Sequence, residues 1–153
     1  MKKTTLFSIL LFLSFTFPLF SQSINTSELL RMREMSPPQK ESFLIKKGFY
    51  FSSLEKGAKI FYFGGSNSSE PNAIMTIKDK FLIYSFKGLS RYQIFLDEIE
   101  SFGFKYQDEV KNDRGTGYKY LKGNLYAMIF KTSQHQSFNN ITLGTLDEIL
   151  SLE

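Results

Sequence analysis

Apolar residues follow a helical spacing at only a few places in this chain, and the clearest lies between residues 90 and 102. Tyr92, Phe95 and Ile99 recur at intervals of three or four residues, which places them on one stripe of an amphipathic helix. The stripe ends at Gly103, a residue that readily adopts the left-handed conformation found just after helices. A charged, helix-like segment ends in the same way at Gly48, and a phenylalanine follows each glycine. The chain therefore contains one helix–Gly–Phe junction twice.

Both helices are preceded by a residue that can cap a helix start. Ser36 and Ser90 are each followed three residues later by a glutamine, so the serine can cap free N–H groups while the glutamine reaches back. Pro37 suits the first helical position, where its missing N–H is not needed. We therefore predict helices that begin at Ser36 and Ser90 and end at the two junction glycines.

Two further segments carry the same kind of start signal. Asn25 precedes Glu28 by three residues, and Thr145 precedes Glu148 by three residues. We predict an N-terminal helical segment over residues 22–35 and a short helix close to the end of the chain.

Short runs rich in aromatic and β-branched residues follow each junction, and turn-forming residues separate them. The runs span residues 48–53, 58–64, 73–77 and 80–86 in the first half, and 103–108, 116–122, 125–131 and 139–144 in the second. We predict an α+β fold made of two tandem repeats, about residues 36–88 and 89–144. Each repeat is one helix followed by a four-stranded antiparallel meander, with the helices packed on one sheet face.

The first 21 residues have the composition of a secretory signal peptide. Lys2 and Lys3 precede an uncharged run over residues 6–20, and these 15 residues are fewer than the ~20 that a membrane span requires. The small residues Ser21 and Ser23 suit cleavage after either of them. We predict removal of residues 1–21, no membrane span in the mature chain, and a periplasmic or secreted location.

The rest of the chain is expected to form one domain, residues 36–153, behind the helical segment. From Gln22 onward it has 132 residues, and the sequence contains no cysteine. A chain of this length can bury a core without disulfides or metals. The formal net charge of +4 falls to +2 without Lys2 and Lys3, so the charge does not indicate nucleic-acid binding.

Residues with catalytic or metal-binding chemistry are few. There is no thiol nucleophile, and the single histidine, His135, cannot form a two-histidine zinc site and is interpreted as a loop residue. Asp97, Glu98 and Glu100 fall on the polar side of a predicted helix, and nothing in their spacing sets two carboxylates across a cleft. We predict no metal, no cofactor and no enzymatic activity, and we keep a hydrolase as an alternative.

Strict alternation of side chains predicts a binding surface on the open face of the sheet. If Phe49 faces the helices, its neighbour points away from them, and aligning the two repeats assigns further residues to that open face. The surface is aromatic in the first half and mixed basic and apolar in the second. The six residues assigned to it are Tyr50, Phe61, Phe63, Lys105, Lys119 and Leu121.

Over residues 36–144 the order of elements and the repeated helix–Gly–Phe junction resemble tandem-repeat secreted bacterial modules of the β-lactamase-inhibitor-protein-like and PepSY-like kinds. The absence of cysteine departs from the disulfide-bearing inhibitor proteins. The resemblance implies a fold that binds proteins or envelope components with an open sheet and is rarely an enzyme.

The expected function is a non-enzymatic binding module of the bacterial envelope, whose partner is a protein or another envelope component. A homodimer is left open. The alternative is a carrier of a lipid or other apolar ligand, which would use the same aromatic residues to line a closed pocket of roughly several hundred Å³.

Overall fold

The computed structural model describes residues 23–65, 70–133 and 138–150, and within those ranges it contains four α-helices and eight strands. The predicted signal peptide, its cleavage site and His135 lie outside the described residues. The helices are α1 (Thr26–Glu34), α2 (Pro37–Lys46), α3 (Leu89–Ile99), which a 3₁₀ turn (Glu100–Phe102) extends, and α4 (Leu146–Leu150). The strands are β1 (Phe49–Glu55), β2 (Ala58–Phe63), β3 (Ala73–Lys78), β4 (Phe81–Phe86), β5 (Lys105–Asn112), β6 (Gly115–Lys122), β7 (Leu125–Thr132) and β8 (Asn139–Thr145).

The two flanking helices begin at their predicted caps. At α1 the Asn25 side chain accepts a hydrogen bond from the N–H of Glu28 at 2.9 Å, and the Glu28 carboxylate accepts one from the N–H of Asn25. At α4 the Thr145 hydroxyl and the Glu148 carboxylate make the same reciprocal pair. Both predicted starts are confirmed, because each pair satisfies N–H groups that a helix start leaves free.

The structure agrees with the helix start predicted at Ser36 but not with the one predicted at Ser90. The Gln39 side chain accepts a hydrogen bond from the N–H of Ser36 at 2.9 Å, and α2 begins at the next residue, as predicted. The cap predicted at Ser90 is wrong, because α3 already begins at Leu89 and Gly88 is its cap residue, with a φ of 97°. Glycine tolerates that angle, so the chain can turn from β4 into the helix one residue earlier.

The junction glycines take the predicted conformation. Gly48 has a φ of 84° and Gly103 a φ of 83°, both in the left-handed region. Gly103 follows the 3₁₀ turn directly, Gly48 follows α2 after one residue, and each lies just before an edge strand. The helix–Gly–Phe junction is confirmed at both places.

All eight strands belong to one antiparallel sheet with the order β1-β2-β3-β4-β8-β7-β6-β5. The predicted α+β class is confirmed. The prediction of two tandem repeats of a four-stranded meander is wrong, because the eight strands form one sheet in which β4 pairs with β8, from Leu82 opposite Leu143 to Phe86 opposite Asn139. The sheet runs unbroken through this pair, which leaves neither strand with an exposed edge.

The strand side chains of the buried core lie on one face of the sheet, here called the inner face. Buried side chains of the helices belong to the same cluster, and the Phe95 ring lies 5.1 Å from that of Phe86 and 6.1 Å from that of Tyr84. That all the helices lie against this one face stays a prediction. The central strands contribute Ala73, Met75, Ile77, Leu82, Tyr84, Phe86, Ala127, Ile129, Ile141 and Leu143 to the cluster.

Both edge strands carry a β-bulge at an equivalent position. The pairing register shifts between Phe51 and Ser53 in β1, and between Tyr106 and Asp108 in β5. A bulge places two residues of one strand opposite one of its neighbour, so side-chain direction cannot be counted straight through it. The bulges therefore decide which residues of the edge strands face the core.

Among the described residues, no helix has both the length and the apolar character needed to cross a membrane.

Candidate binding surface

The face of the sheet opposite the core, here called the outer face, carries two rows of residues that cross all eight strands. Each residue lies directly opposite the next along its row. At a strand spacing of about 4.8 Å, the seven steps span about 34 Å. The first row is Tyr50, Tyr62, Ile74, Ser85, Asn140, Phe130, Gly117 and Val110, and the second is Ser53, Ile60, Thr76, Ile83, Thr142, Met128, Lys119 and Asp108.

Charge is absent from most of this surface. The first row contains no charged residue, and the second is charged only at Lys119 and Asp108. The first row together with the second row from Ser53 to Met128 is here called the uncharged strip. None of its apolar side chains belongs to the core cluster of the described residues. Most are half-buried and Tyr50 is 50% exposed, so the strip is an accessible, largely apolar surface.

Two aromatic features shape the strip at its ends. The rings of Tyr50 and Tyr62 lie 6.2 Å apart and almost perpendicular, at 84°, a favourable edge-to-face arrangement. At the other end the Phe130 ring lies close over Gly117, because a Cβ at that position would be only 3.1 Å from Phe130 Cδ2. Glycine thus lets the ring approach the backbone of β6 closely.

Four of the six predicted binding residues lie on the outer face: Tyr50, Lys105, Lys119 and Leu121. Lys105 is directly opposite Leu121, and Lys119 Nζ lies 3.7 Å from the carboxylate of Asp108. The three residues of β5 and β6 are therefore brought together, whereas Tyr50 lies at the opposite edge of the sheet on β1. Their role in binding stays a prediction.

The assignment of Phe61 and Phe63 to the open face is wrong. Phe61 is 1% exposed and lies opposite Phe51 and Met75 on the inner face. Phe63 packs against the core, with its ring 5.2 Å from that of Phe49. The alignment of the two repeats had matched Phe61 with Lys119, whereas the pairing gives Phe61 the place that Tyr120 has on β6, opposite the residue just before the bulge. A shift of one residue exchanges the two faces of a strand.

Sequence reasoning missed the residues that replace these phenylalanines on the outer face. Tyr62 and Ile60 occupy the positions on β2, and Ile74, Ile83, Met128 and Phe130 continue the surface across the sheet. The available signal was the alternation within β3, β4 and β7, which have no bulge. Only the pairing across the sheet turns these separate alternations into one strip.

Tyr126 extends the apolar surface of the outer face towards Lys105 and Lys119 on β5 and β6. It lies opposite Leu121 on β6 and Gly144 on β8. Burial raises the pKa of its phenol above the usual value, and the nearby Asp108 carboxylate raises it further. Tyr126 therefore remains a neutral hydrogen-bonding group over a wide pH range.

A separate polar site lies under α2, at the β3–β4 turn. Lys40 is 2% exposed, and its ammonium group donates a hydrogen bond to the carbonyl of Asp79. Burial lowers the pKa of this amine, and the neighbouring Arg33 lowers it further. Arg33 donates to the carbonyl of Lys80 at 2.9 Å and pairs with Glu148 at 3.0 Å. The two buried cations therefore hold this turn against α1 and α2.

Two cavities of the described region lie beside α2, and charged residues stand among the apolar ones in both linings. One, of about 160 Å³, is lined by Pro37, Lys40, Glu41, Gly57, Lys59, Ile77 and Asp79. The other, of about 350 Å³, is lined by Arg31, Met35, Gln39, Ser42, Phe43 and Lys46. Within the ranges that the structure describes, no three histidine, cysteine or acidic side chains come together as metal ligands would.

No family model, curated protein or solved structure matches this chain. The resemblance to the tandem-repeat secreted modules stays a prediction.

Proposed function

We propose that this chain is an exported, non-enzymatic binding module of the bacterial envelope and that it binds a protein partner with the outer face of its sheet. The observation that carries the proposal is the uncharged strip, about 34 Å long at the usual strand spacing. Exposed apolar surfaces of this extent usually mark interaction sites, because a solitary soluble protein has no need of them.

The distribution of charge supports an interface. Charged side chains of the outer face lie towards its margins, at Glu55 on β1, at Lys78 in the last position of β3, and at Lys105, Asp108 and Lys119 on β5 and β6. The middle strands present Ile74, Ile83 and Met128 together with threonine and serine hydroxyls. Protein interfaces commonly combine an apolar centre with a polar rim in this way.

Tyr62 and Phe130 are the anchors that this surface offers. Both are large, half-buried aromatic residues of the first row, set on β2 and β7 on either side of the β4–β8 pair. Aromatic side chains dominate binding energy at interfaces, since they bury a large area with few rotatable bonds to fix. We expect each to contact the partner.

The cavities favour this function over that of an apolar-ligand carrier. A carrier needs an enclosed pocket with a predominantly apolar lining. Lys40, Glu41, Lys59 and Asp79 line the smaller of the two cavities described above, and such charges would be costly to cover with a lipid chain.

Site-specific crosslinking in the envelope tests the proposal. A photoreactive amino acid is placed at Tyr62 or Phe130, and for comparison at Leu89, which is 60% exposed on α3. We expect both outer-face positions to capture one and the same protein and Leu89 not to capture it. Equal labelling from all three positions, or none from the outer face, would contradict the proposal.

A quantitative test follows once the captured protein is purified. Tyr62→Lys places a charge in the uncharged strip and should weaken binding at least about tenfold, a loss of about 1.4 kcal/mol. Leu89→Lys is the matched control and should bind as the parent does. Thermal melts of both variants separate a loss of binding from a loss of folding.

A further inference from the structure

The two edges of the sheet differ in charge. β5 exposes Lys105, Asp108 and Lys111, and charged side chains on an edge strand prevent another strand from adding to it. β1 carries a single charged residue, Glu55, at its far end. Both edges have a bulge, so the bulge does not distinguish them. Only β5 has the charge pattern of a protected edge.

The β1 edge is bordered by exposed apolar side chains on the inner face. Phe51 is 54% exposed and Leu54 is 63% exposed. Phe51 and Leu54 lie on the same face because they pair with Phe61 and Lys59, which are two residues apart on β2. Large apolar side chains beside an unpaired strand edge are the usual mark of a pairing site.

Helix α2 completes this border with Ile45, which is 62% exposed. Glu41 of α2 forms an ion pair with Lys59 and so lies over the β1–β2 hairpin. Ile45 is one helical turn further on and projects from the same side of the helix. Ile45, Phe51 and Leu54 are here called the edge patch.

We infer that two copies of this chain associate through their β1 edges, with the edge patch of each copy against that of the other. The segment Phe49–Leu54 has no charged residue, so two copies do not repel each other along it. The charged β5 edge of a second copy does not fit the apolar β1 edge. Association therefore closes as a two-fold dimer and does not continue into a fibre.

The bulge limits the backbone part of this contact. Regular alternation holds only from Phe49 to Phe51, so few hydrogen bonds can form across the two-fold axis. The edge patch must therefore provide most of the association, and we expect a dimer that dissociates on dilution. This interface uses the β1 backbone edge and side chains of the inner face, whereas the proposed partner surface lies on the outer face, so either proposal can fail without the other.

Sedimentation of the mature chain from about 1 µM to about 200 µM tests the inference, because such a short contact is expected to dissociate within that range. We expect the mass to rise from that of one chain to that of two. Phe51→Lys should weaken the dimer at least about tenfold, since a two-fold axis repeats each new charge. Tyr106→Lys is the matched control, because Tyr106 is 49% exposed beside the bulge of β5. It should dimerise as the parent does.

Phe51 also contacts a core ring, with 5.7 Å between its centroid and that of Phe61. If Phe51→Lys melts earlier than the parent, Leu54→Glu decides instead, because Leu54 is the more exposed of the two and faces Lys59. A parent that stays monomeric over the whole range, or a dimer that both charged variants leave intact, would overturn the inference.

Discussion

Phe61 and Tyr62 are neighbours in the chain but lie on opposite faces of β2. Phe61 is 1% exposed in the core, whereas Tyr62 is half-buried on the outer face and touches Tyr50 edge-on. Aromatic residues at both positions made the two faces look alike in the sequence. The free energy of unfolding should distinguish them clearly.

Phe61→Ser should lower the free energy of unfolding by about 3 to 5 kcal/mol, because it leaves a cavity in the core and buries a hydroxyl. Tyr62→Ser, its control one residue away, should cost about 1 kcal/mol or less, as most accessible positions do. Urea titrations of both variants measure the difference. Equal losses would contradict the placement of the two side chains on different faces.

Tyr84 and Tyr92 are two buried tyrosines with different hydroxyl surroundings. The Tyr84 hydroxyl accepts a hydrogen bond from Arg91 at 2.8 Å. The Tyr92 hydroxyl has no hydrogen-bond partner among the described residues. Tyr92→Phe should therefore leave stability unchanged or raise it by about 1 kcal/mol, whereas Tyr84→Phe should cost about 1 to 2 kcal/mol. Thermal melts check both, and a larger loss for Tyr92→Phe would show that its hydroxyl is bonded.

At the scale of elements, the local signals in the sequence were sufficient to find every helix and strand described above. Capping residues and junction glycines mark helix ends, and alternation between turn residues marks strands. Alternation could not predict the register in which β1 pairs with β2. Counted back from the Lys56–Gly57 turn without a bulge, Phe61 would lie opposite Ser52, yet it lies opposite Phe51. No residue type specifies that shift, so counting from the turn could not have corrected the alignment that exchanged the two faces of β2.

The junction glycines should respond differently to the same substitution. Alanine at either Gly48 or Gly103 is strained by the positive φ and should cost about 1 kcal/mol. Gly48→Ala should cost more, because its Cβ would lie 3.3 Å from the packed ring of Phe63, whereas at Gly103 the nearest atom is 3.7 Å away on the flexible Lys122. Denaturant melts rank the two. Gly103→Asn is the control, since asparagine tolerates this conformation and should recover part of the loss.

At the scale of the whole molecule, buried phenols link stability to alkaline pH. Burial raises the pKa of Tyr84, Tyr92, Tyr120 and Tyr126 in the folded chain. Each raised pKa contributes stability that is fully present below the unfolded value of about 10 and is lost as the pH rises beyond it. Lys40 has the opposite effect on the pH dependence of stability, because its lowered pKa favours the folded state increasingly as the pH rises to about 10.5.

The free energy of unfolding should therefore fall steeply above about pH 10.5, because the buried phenols of the folded chain still hold protons that the unfolded chain has released. Urea midpoints at about pH 9.5 and about pH 11 measure the slope. Tyr84→Phe and Tyr92→Phe should each flatten it, whereas Tyr50→Phe, at a position 50% exposed, controls for the loss of a tyrosine as such. An unchanged slope in both buried variants would contradict the prediction.

The pairing of β4 with β8 could not be predicted from the sequence, because the sequence of each strand is equally compatible with an unpaired strand at the end of its own meander. Nothing in the sequence indicates that Leu82 and Leu143 lie opposite each other. Two unpaired strand edges with matching alternation tend to pair with each other. Which two of the four meander edges pair depends on the helices and loops around them. The two-repeat prediction failed at this level although its elements were right.

The position of β8 also sets the order in which the protein can fold. It follows the other seven described strands in chain order and lies at the centre of the sheet, between β4 and β7. Until it emerges, the first four strands have nothing to join to the later ones, and contacts between residues this far apart in sequence form slowly. A growing chain therefore cannot complete the sheet until β8 has been synthesised, even when the other seven strands are already available.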